Sequence, residues 1–338
     1  MITIALDAMG GDHAPRVEVE GAVQAARELD VRVLLVGIEE TVHQELNRHK
    51  CGNLPIDVVG ASDVITMSDS PSQAFRRKKD SSLHVAARLV RDGKASALVT
   101  AGNTGAAMTV ARFVLGTLSS VDRPALAWAF PNAKEKVSVI LDVGANVDSK
   151  PEHLEQFAVM GDVYYRALWG AKRPRVALLS IGEEEMKGNE LTKEAAIRLK
   201  QTPLNFVGNV EGRDVFRGNV DVVVCDGFIG NITLKLSEGL VEHIGGMLKK
   251  AIKSSVASQI GYALSKKAFD SFRKRTDYSE YGGAPLLGVK GITIIGHGRS
   301  NAVAIKNAIR VAAELCRSNV NEKIEQELSG ATAVAARG

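Results

Sequence analysis

Val220-Asp221-Val222-Val223-Val224-Cys225-Asp226-Gly227-Phe228-Ile229-Gly230-Asn231 is the stretch from which the architecture reads most directly. An apolar run of strand length passes into an acidic, glycine-bearing loop. Helical spacing takes over at Asn231 and holds to Leu248. A strand that is apolar at nearly every position has no face to show to water. It predicts a parallel sheet covered on both sides.

The same unit recurs outward in both directions. Strands are predicted at Ile2–Leu6, Val31–Val36, Ile56–Val59, Ala95–Val99, Ala125–Ala129, Val137–Leu141, Arg175–Leu179 and Ile292–Ile295. Helical periods lie between them, at Pro15–Leu29, Thr41–His49, Ser82–Arg91, Gly105–Leu118, Pro151–Leu168 and Glu190–Lys200, with Ala302–Leu315 and Asn319–Leu328 at the end. Alternating strands and helices give an α/β fold with a doubly wound, mainly parallel sheet. No long linker divides the chain. We expect one two-lobed catalytic unit over residues 1–330, followed by a flexible tail over 331–338.

The loops after the strands share one style. They are Asp7-Ala8-Met9-Gly10-Gly11-Asp12-His13, Gly102-Asn103-Thr104-Gly105, Asp142-Val143-Gly144-Ala145-Asn146, Gly182 to Asn189, Asp226 to Asn231, and Gly296-His297-Gly298-Arg299-Ser300-Asn301. Ligands of open parallel sheets bind beyond the carboxyl ends of the strands. Glycines let the backbone approach a ligand, and helix N-termini aim free N–H groups at an anion. Six such loops at one sheet edge predict a site for a small oxyanion such as phosphate. A phosphate-binding P-loop, a dinucleotide fingerprint, zinc-spaced Cys/His pairs and a Gly-x-Ser-x-Gly elbow all fail to occur.

Several residues carry two readings. Lys187 either orients phosphate or pairs with Glu183, Glu184 and Glu185. Asn231 is either an amide donor to a carbonyl oxygen or a helix cap. Asn103, Thr104 and Asn146 are further donors or further caps. His13 either relays a proton or donates to Asp7 or Asp12 to shape its turn. Cys225 reads as a small buried residue, with an acyl-enzyme thiol as the alternative. Asp7, Asp12, Asp142 and Asp226 read as acceptors that brace loops.

Net charge is +4 over 338 residues, too little to argue for nucleic acid. Between Lys249 and Arg275, however, eight basic residues stand against one acid, Asp270. Apolar residues recur there at helical spacing among Lys249, Lys250, Lys253, Lys266, Lys267 and Arg273. Such a basic amphipathic segment (249–275) suits an anionic lipid surface, an acidic carrier protein, or the core or a second subunit. Three unpatterned cysteines suggest a reducing compartment. No signal-like start and no apolar run of about 18 residues is seen. The expectation is a cytoplasmic protein, at most peripheral on the inner face of the cell membrane.

The Asp7–Asp12 opening, Ala101-Gly102-Asn103-Thr104-Gly105-Ala106, Asp142–Asn146, Lys187-Gly188-Asn189 and Cys225–Asn231 together resemble bacterial phosphate acyltransferase. The resemblance covers essentially the whole chain. It implies an isocitrate/isopropylmalate dehydrogenase-like fold and reversible transfer of a fatty acyl group from acyl carrier protein to inorganic phosphate. The acyl-phosphate then serves phospholipid synthesis. A homodimer, no metal or nucleotide cofactor, and delivery to a membrane glycerol-3-phosphate acyltransferase are implied as well. Lys187, Asn231 and His13 would be catalytic. Asp7, Gly10, Gly11, Asp12, Asn103, Thr104, Gly105, Asp142, Asn146 and Gly230 would hold substrate or phosphate. A phosphotransacetylase-like enzyme using coenzyme A, a decarboxylating dehydrogenase and a non-enzymatic surface scaffold for carrier protein are the rivals.

Overall fold

A computed structural model describes residues 1–276 and 278–335, with the side chains of 273–278 and 331–335 left aside. Among the described residues, eleven strands form one sheet. They are β1 (Ile2–Asp7), β2 (Val31–Gly37), β3 (Ile56–Gly60), β4 (Ala97–Thr100), β5 (Ala125–Pro131), β6 (Val137–Leu141), β7 (Arg175–Leu179), β8 (Asn205–Val210), β9 (Val222–Val224), β10 (Ala284–Leu287) and β11 (Ile292–Ile295). Their spatial order is β3-β2-β1-β4-β11-β10-β5-β6-β9-β7-β8.

The continuous apolar strands follow from cover on both faces. Successive side chains of a strand point to opposite sides. Ile4 and Leu6 join one buried cluster, and Ala5 between them joins the other. Val222 and Val224 are split from Val223 in the same way. The first cluster is closed by α1 (Arg16–Glu28), α6 (Pro151–Trp169) and α12 (Ala302–Arg317), and the second by α4 (Ser82–Arg91) and α5 (Thr104–Val110). Phe157 and Leu154 of α6 are wholly buried. Each such side chain stabilises the fold by about 1.5–3 kcal/mol.

The sheet is parallel at seven of its ten pairings and antiparallel at β11–β10, β10–β5 and β5–β6. Three reversals leave β6, β9, β7 and β8 running opposite to β1, β2, β3, β4 and β11. The expectation of six loops at one edge is therefore corrected. Loops after β1, β4 and β11 leave from one edge, and those after β6, β7 and β9 leave from the other. The two antiparallel pairings of β10 cancel, so the net reversal lies at the β5–β6 hairpin, whose connection over residues 132–136 is too short for a parallel crossover. Edge strand β8 was hidden because half of its residues are Asn or Gly, with Gly208 at φ +100°.

The two loop-bearing edges of the sheet are linked by α9 (Gly227–Lys253), which starts four residues before the expected Asn231. Asp226 caps it, its carboxylate accepting from the Phe228 N–H at 2.9 Å and the Ser149 N–H at 2.8 Å. From Asn231 to Glu242 the helix rises about 16 Å. There Arg299 of the loop after β11 donates to Glu242 at 2.7 Å. The remaining helices are α2 (Glu39–Leu46), α3 (Pro71–Arg77), α7 (Glu190–Lys200), α8 (Asp214–Arg217), α10 (Val256–Leu264), α11 (Lys266–Thr276) and α13 (Val320–Ala335). The expected tail begins inside α13, and its residues 336–338 lie outside the described residues.

Candidate active site

Two clusters of loop residues form, one beside the middle of α9, between Lys235 and Glu242, and one under its first turns. In the first, β1, β4 and β11 deliver their loops side by side. Thr100 donates to the buried Asp7 carboxylate at 2.8 Å, and the Met9 N–H donates to its other oxygen at 3.2 Å. Burial pushes the Asp7 carboxyl up, against those hydrogen bonds. A Cβ on Gly10 would stand 2.9 Å from the Gly102 nitrogen, so the two loops touch backbone to backbone. The Asp12 N–H donates to the Gly298 carbonyl at 2.8 Å and ties in the third loop.

Within this cluster Asn103 is fully engaged. Its oxygen accepts from the Ala106 N–H at 3.1 Å and caps α5. Its amide nitrogen reaches the carbonyls of Thr66, Met67 and Asp69 at 2.9–3.3 Å. The structure thus uses it as cap and tether. Thr104 is exposed at the first position of α5, and Gly105 packs against Pro71. His13 and Asp12 are exposed. The Asp7 carboxylate bonds Thr100 and Met9, with Ser82 also acting on it, rather than the His13 ring. His297 is half-buried, and burial together with Lys235 of α9 holds its pKa down.

The second cluster is built on Asp142. Its carboxylate is fully buried and accepts from five donors: the N–H groups of Leu126, Gly144, Ala145 and Asn146, and the Asn146 amide, at 2.7–3.1 Å. Burial nonetheless pushes its pKa up. The Asn146 amide also donates to the Pro124 carbonyl at 2.7 Å, so its N–H groups are committed to the fold. The first turn of α9 sits directly on this loop. A Cβ on Gly227 would lie 2.1 Å from the Asn146 carbonyl oxygen, and only glycine permits that approach.

Asn231 follows one turn later. It is exposed, and its side chain lies over Gly144, whose missing Cβ would be 3.4 Å from it. It is not the helix cap, since Asp226 holds that position. Lys187 stands at the same sheet edge, after β7. It is exposed, and its stem covers Gly182. The neighbouring acids look elsewhere: Glu185 pairs with Lys200 at 2.6 Å and Glu183 approaches Arg213 at 3.9 Å. Cys225 lies beneath, 2 % exposed, with burial pushing its thiol up. A buried thiol of that kind is a poor nucleophile. The reading of Cys225 as a small buried residue matches its place.

Of the basic segment, Lys249, Lys250, Lys253, Lys266 and Lys267 are all exposed, and the Arg273 side chain lies outside the described residues. One buried group escaped the sequence reading. Glu18, in the first turn of α1, is 1 % exposed and touches the Gly10–Gly11 turn. Its spacing to Gly21, Ala22 and Ala25, all buried, was the available signal.

Comparison with known proteins identifies the family and the fold. Residues 2–323 match the family model described as fatty acid synthesis protein. The chain is 59% identical over 337 residues to the phosphate acyltransferase of Koribacter versatilis, covering 98% of this chain and 94% of that protein. It is 57% identical over 326 residues to the phosphate acyltransferase of Geobacter sp. (strain M21), covering 96% and 92%. Among solved structures, a phosphotransacetylase from Streptococcus pyogenes shares the fold at TM-score 0.66 and 15% identity, covering 94% of each chain. A putative 4-hydroxythreonine-4-phosphate dehydrogenase from Salmonella typhimurium does so at 0.52 and 13%, covering 93% of this chain and 99% of that one.

Proposed function

The chain belongs to the phosphate acyltransferase family, and from that premise we propose how its residues pass a fatty acyl group from acyl carrier protein to inorganic phosphate. It is an acyltransferase of fatty acid and phospholipid synthesis. The reaction is reversible in principle: a phosphate oxygen attacks the thioester carbonyl, a tetrahedral oxyanion forms, and the C–S bond breaks to release the carrier's thiolate. The thiolate then takes up a proton. Phosphate dianion is itself a nucleophile near pH 7, so the protein's work is positioning and charge stabilisation. Positioning alone contributes ~7–11 kcal/mol in favourable cases.

One observation carries the assignment of roles. Among the polar side chains of the two clusters, Asn103 and Asn146 are committed to the fold, whereas Asn231 stands exposed on a helix turn seated on the Asp142 loop. Asn231 is the amide that donates to the developing oxyanion, a contact worth about 3–4 kcal/mol. Lys187 is the cation that holds phosphate. Asp142 and Gly230 fix the height of the α9 turn, and the Asp7–Asp12 turn with Gly102–Gly105 borders the same cleft through the loop after β11, which meets α9 at Lys235 to Glu242. His13, exposed beside that turn, passes a proton to the leaving thiolate.

The far part of α9 supports a homodimer and a surface contact. Leu236, Leu240, Ile244 and Met247 form an exposed stripe that a second copy covers. Val256, Ile260 and Leu264 repeat the pattern on α10, which has no buried residue, and Lys266 and Lys267 follow it. That end meets acidic carrier protein or anionic lipid at the inner face of the membrane, where the acyl-phosphate reaches a glycerol-3-phosphate acyltransferase. Among the described residues no helix is long and apolar enough to cross a membrane.

The test is direct. Palmitoyl-carrier protein and phosphate are incubated with the enzyme, and free thiol and acyl-phosphate are measured, with palmitoyl-coenzyme A as parallel donor. Thiol release that requires phosphate and prefers the carrier supports the reading. Preference for coenzyme A would favour the phosphotransacetylase alternative, and no phosphate dependence would end both.

A further inference from the structure

Glu18 lies beneath the Gly10–Gly11 turn with its carboxyl pressed against backbone. One oxygen is so near that a Cβ on Gly11 would stand 2.1 Å from it, and the N–H groups of Gly11 and of Glu18 itself face the carboxyl. The other oxygen, Oε2, is buried and has no hydrogen-bond partner. At 1 % exposure it has no bulk water to turn to. A charge so placed is costly unless it is paired.

Its neighbours make ionisation harder still. Asp7 faces it from β1 and Asp12 from the turn, both acidic. Across the turn, the loop after β11 presents the Gly298 carbonyl to the Asp12 N–H, and His297 on that loop feels the Asp12 charge. Three carboxyl groups therefore crowd one glycine turn, two of them buried. Burial and this crowding push the Glu18 carboxyl up to about 7. An anion arriving at the turn adds a further negative charge to the set, and like charges at close range cannot all persist.

We propose that Glu18 is a positioning residue for phosphate, which must be protonated for the Gly10–Gly11 turn to accept the dianion. This rests on the reading above that the turn borders the phosphate site. When Glu18 is ionised, its charge draws the Gly11 N–H inward and repels the substrate. When it is neutral, that N–H is released and the repulsion is removed. Phosphate binding and proton uptake at Glu18 are then linked.

The experiment compares wild type with Glu18→Gln, a neutral near-isostere, by the KM for phosphate in the thiol-release assay from pH 6 to 8.5. The ratio of the two KM values cancels the titration of phosphate itself. We expect a ratio near one at pH 6, rising to fivefold or more at pH 8.5 with wild type the weaker, while kcat changes little. Glu18→Asp keeps the pH dependence. A ratio that does not change with pH overturns the proposal. Should Glu18→Gln fail to fold, calorimetry of phosphate binding to wild type at pH 8, in buffers of different ionisation heat, reads proton uptake directly. Uptake approaching one proton supports the linkage and none refutes it. Absence of phosphate-dependent turnover in wild type would instead refute the underlying functional reading.

Discussion

A Cβ placed on Gly230 would lie 1.8 Å from the carbonyl oxygen of Asp142, closer than any non-bonded contact allows. The second turn of α9 therefore rides on the backbone of the Asp142 loop, and Asn231 takes its position from that contact. Gly230→Ala must lift the helix from the loop. We expect acyl transfer to fall at least a hundredfold and stability by about 1–3 kcal/mol. Gly246→Ala, where an added Cβ meets nothing within 4 Å, serves as control. It should be neutral or stabilise the helix by about 0.5–1 kcal/mol. Thermal melts and the thiol-release assay on both variants decide it. A fully active Gly230→Ala enzyme would show that the close seating is dispensable.

Lys187 is exposed, and the acids beside it take Lys200 and Arg213 instead. Its removal should cost the fold almost nothing, since exposed charges contribute little to stability. Lys187→Ala should raise the KM for phosphate tenfold or more while the melting temperature stays within a degree or so of wild type. Saturation curves in phosphate at fixed acyl-carrier protein provide the check. An unchanged KM for phosphate would remove Lys187 from the site.

Asn231 and Asn146 should separate cleanly. Asn231→Ala is expected to lower kcat by about 10²–10³, the usual cost of one oxyanion donor, with stability nearly intact. Asn146→Ala strips donors from the buried Asp142 carboxylate and the Pro124 carbonyl, and should destabilise by about 1–3 kcal/mol. Paired urea unfolding and kcat measurements test the contrast. Equal losses of stability in the two variants would contradict it.

Glu18 also fixes a slope of stability with pH. Its carboxyl rises from 4.5 to about 7 on folding, so the folded chain binds the proton more tightly than the unfolded chain. The contribution is complete below pH 4.5 and is lost as pH rises through 7, with no further change above. The shift corresponds to roughly 3 kcal/mol. Glu18→Gln does not titrate, so its stability relative to wild type should improve by about that amount between pH 4.5 and 8. Urea unfolding at four pH values across that window would reveal a flat difference if the carboxyl were ordinary.

The strands were legible because burial on both faces writes itself as uninterrupted apolar sequence, as in Val222–Val224 and Ile292–Ile295. The sense of those strands was not. Val222–Val224 and Ile292–Ile295 look alike in sequence, yet they run in opposite senses, because β5 and β6 pair antiparallel through the short connection 132–136. Candidate loops were legible from glycines beside acids. What each polar group does there was not, because Asn103, Asn146 and Asn231 have the same chemistry in sequence. Only the positions of Thr66, Pro124 and Gly144 distinguish a tether and a brace from an amide left exposed. Glu18 was hidden because one acid on an otherwise apolar helix face reads as a surface residue until burial is known.

The reversal of the sheet at the β5–β6 hairpin has an electrical consequence. Helices run against the strands they follow, so those of one half point opposite to those of the other, and their macrodipoles largely oppose one another. The molecule as a whole then carries little oriented field from its backbone. Whatever draws an acidic partner in from a distance must come from side chains. These are concentrated between Lys249 and Arg275, on helices that stand clear of the core. Capture should accordingly slow as salt rises, and a few lysines on one arm should govern the encounter rate.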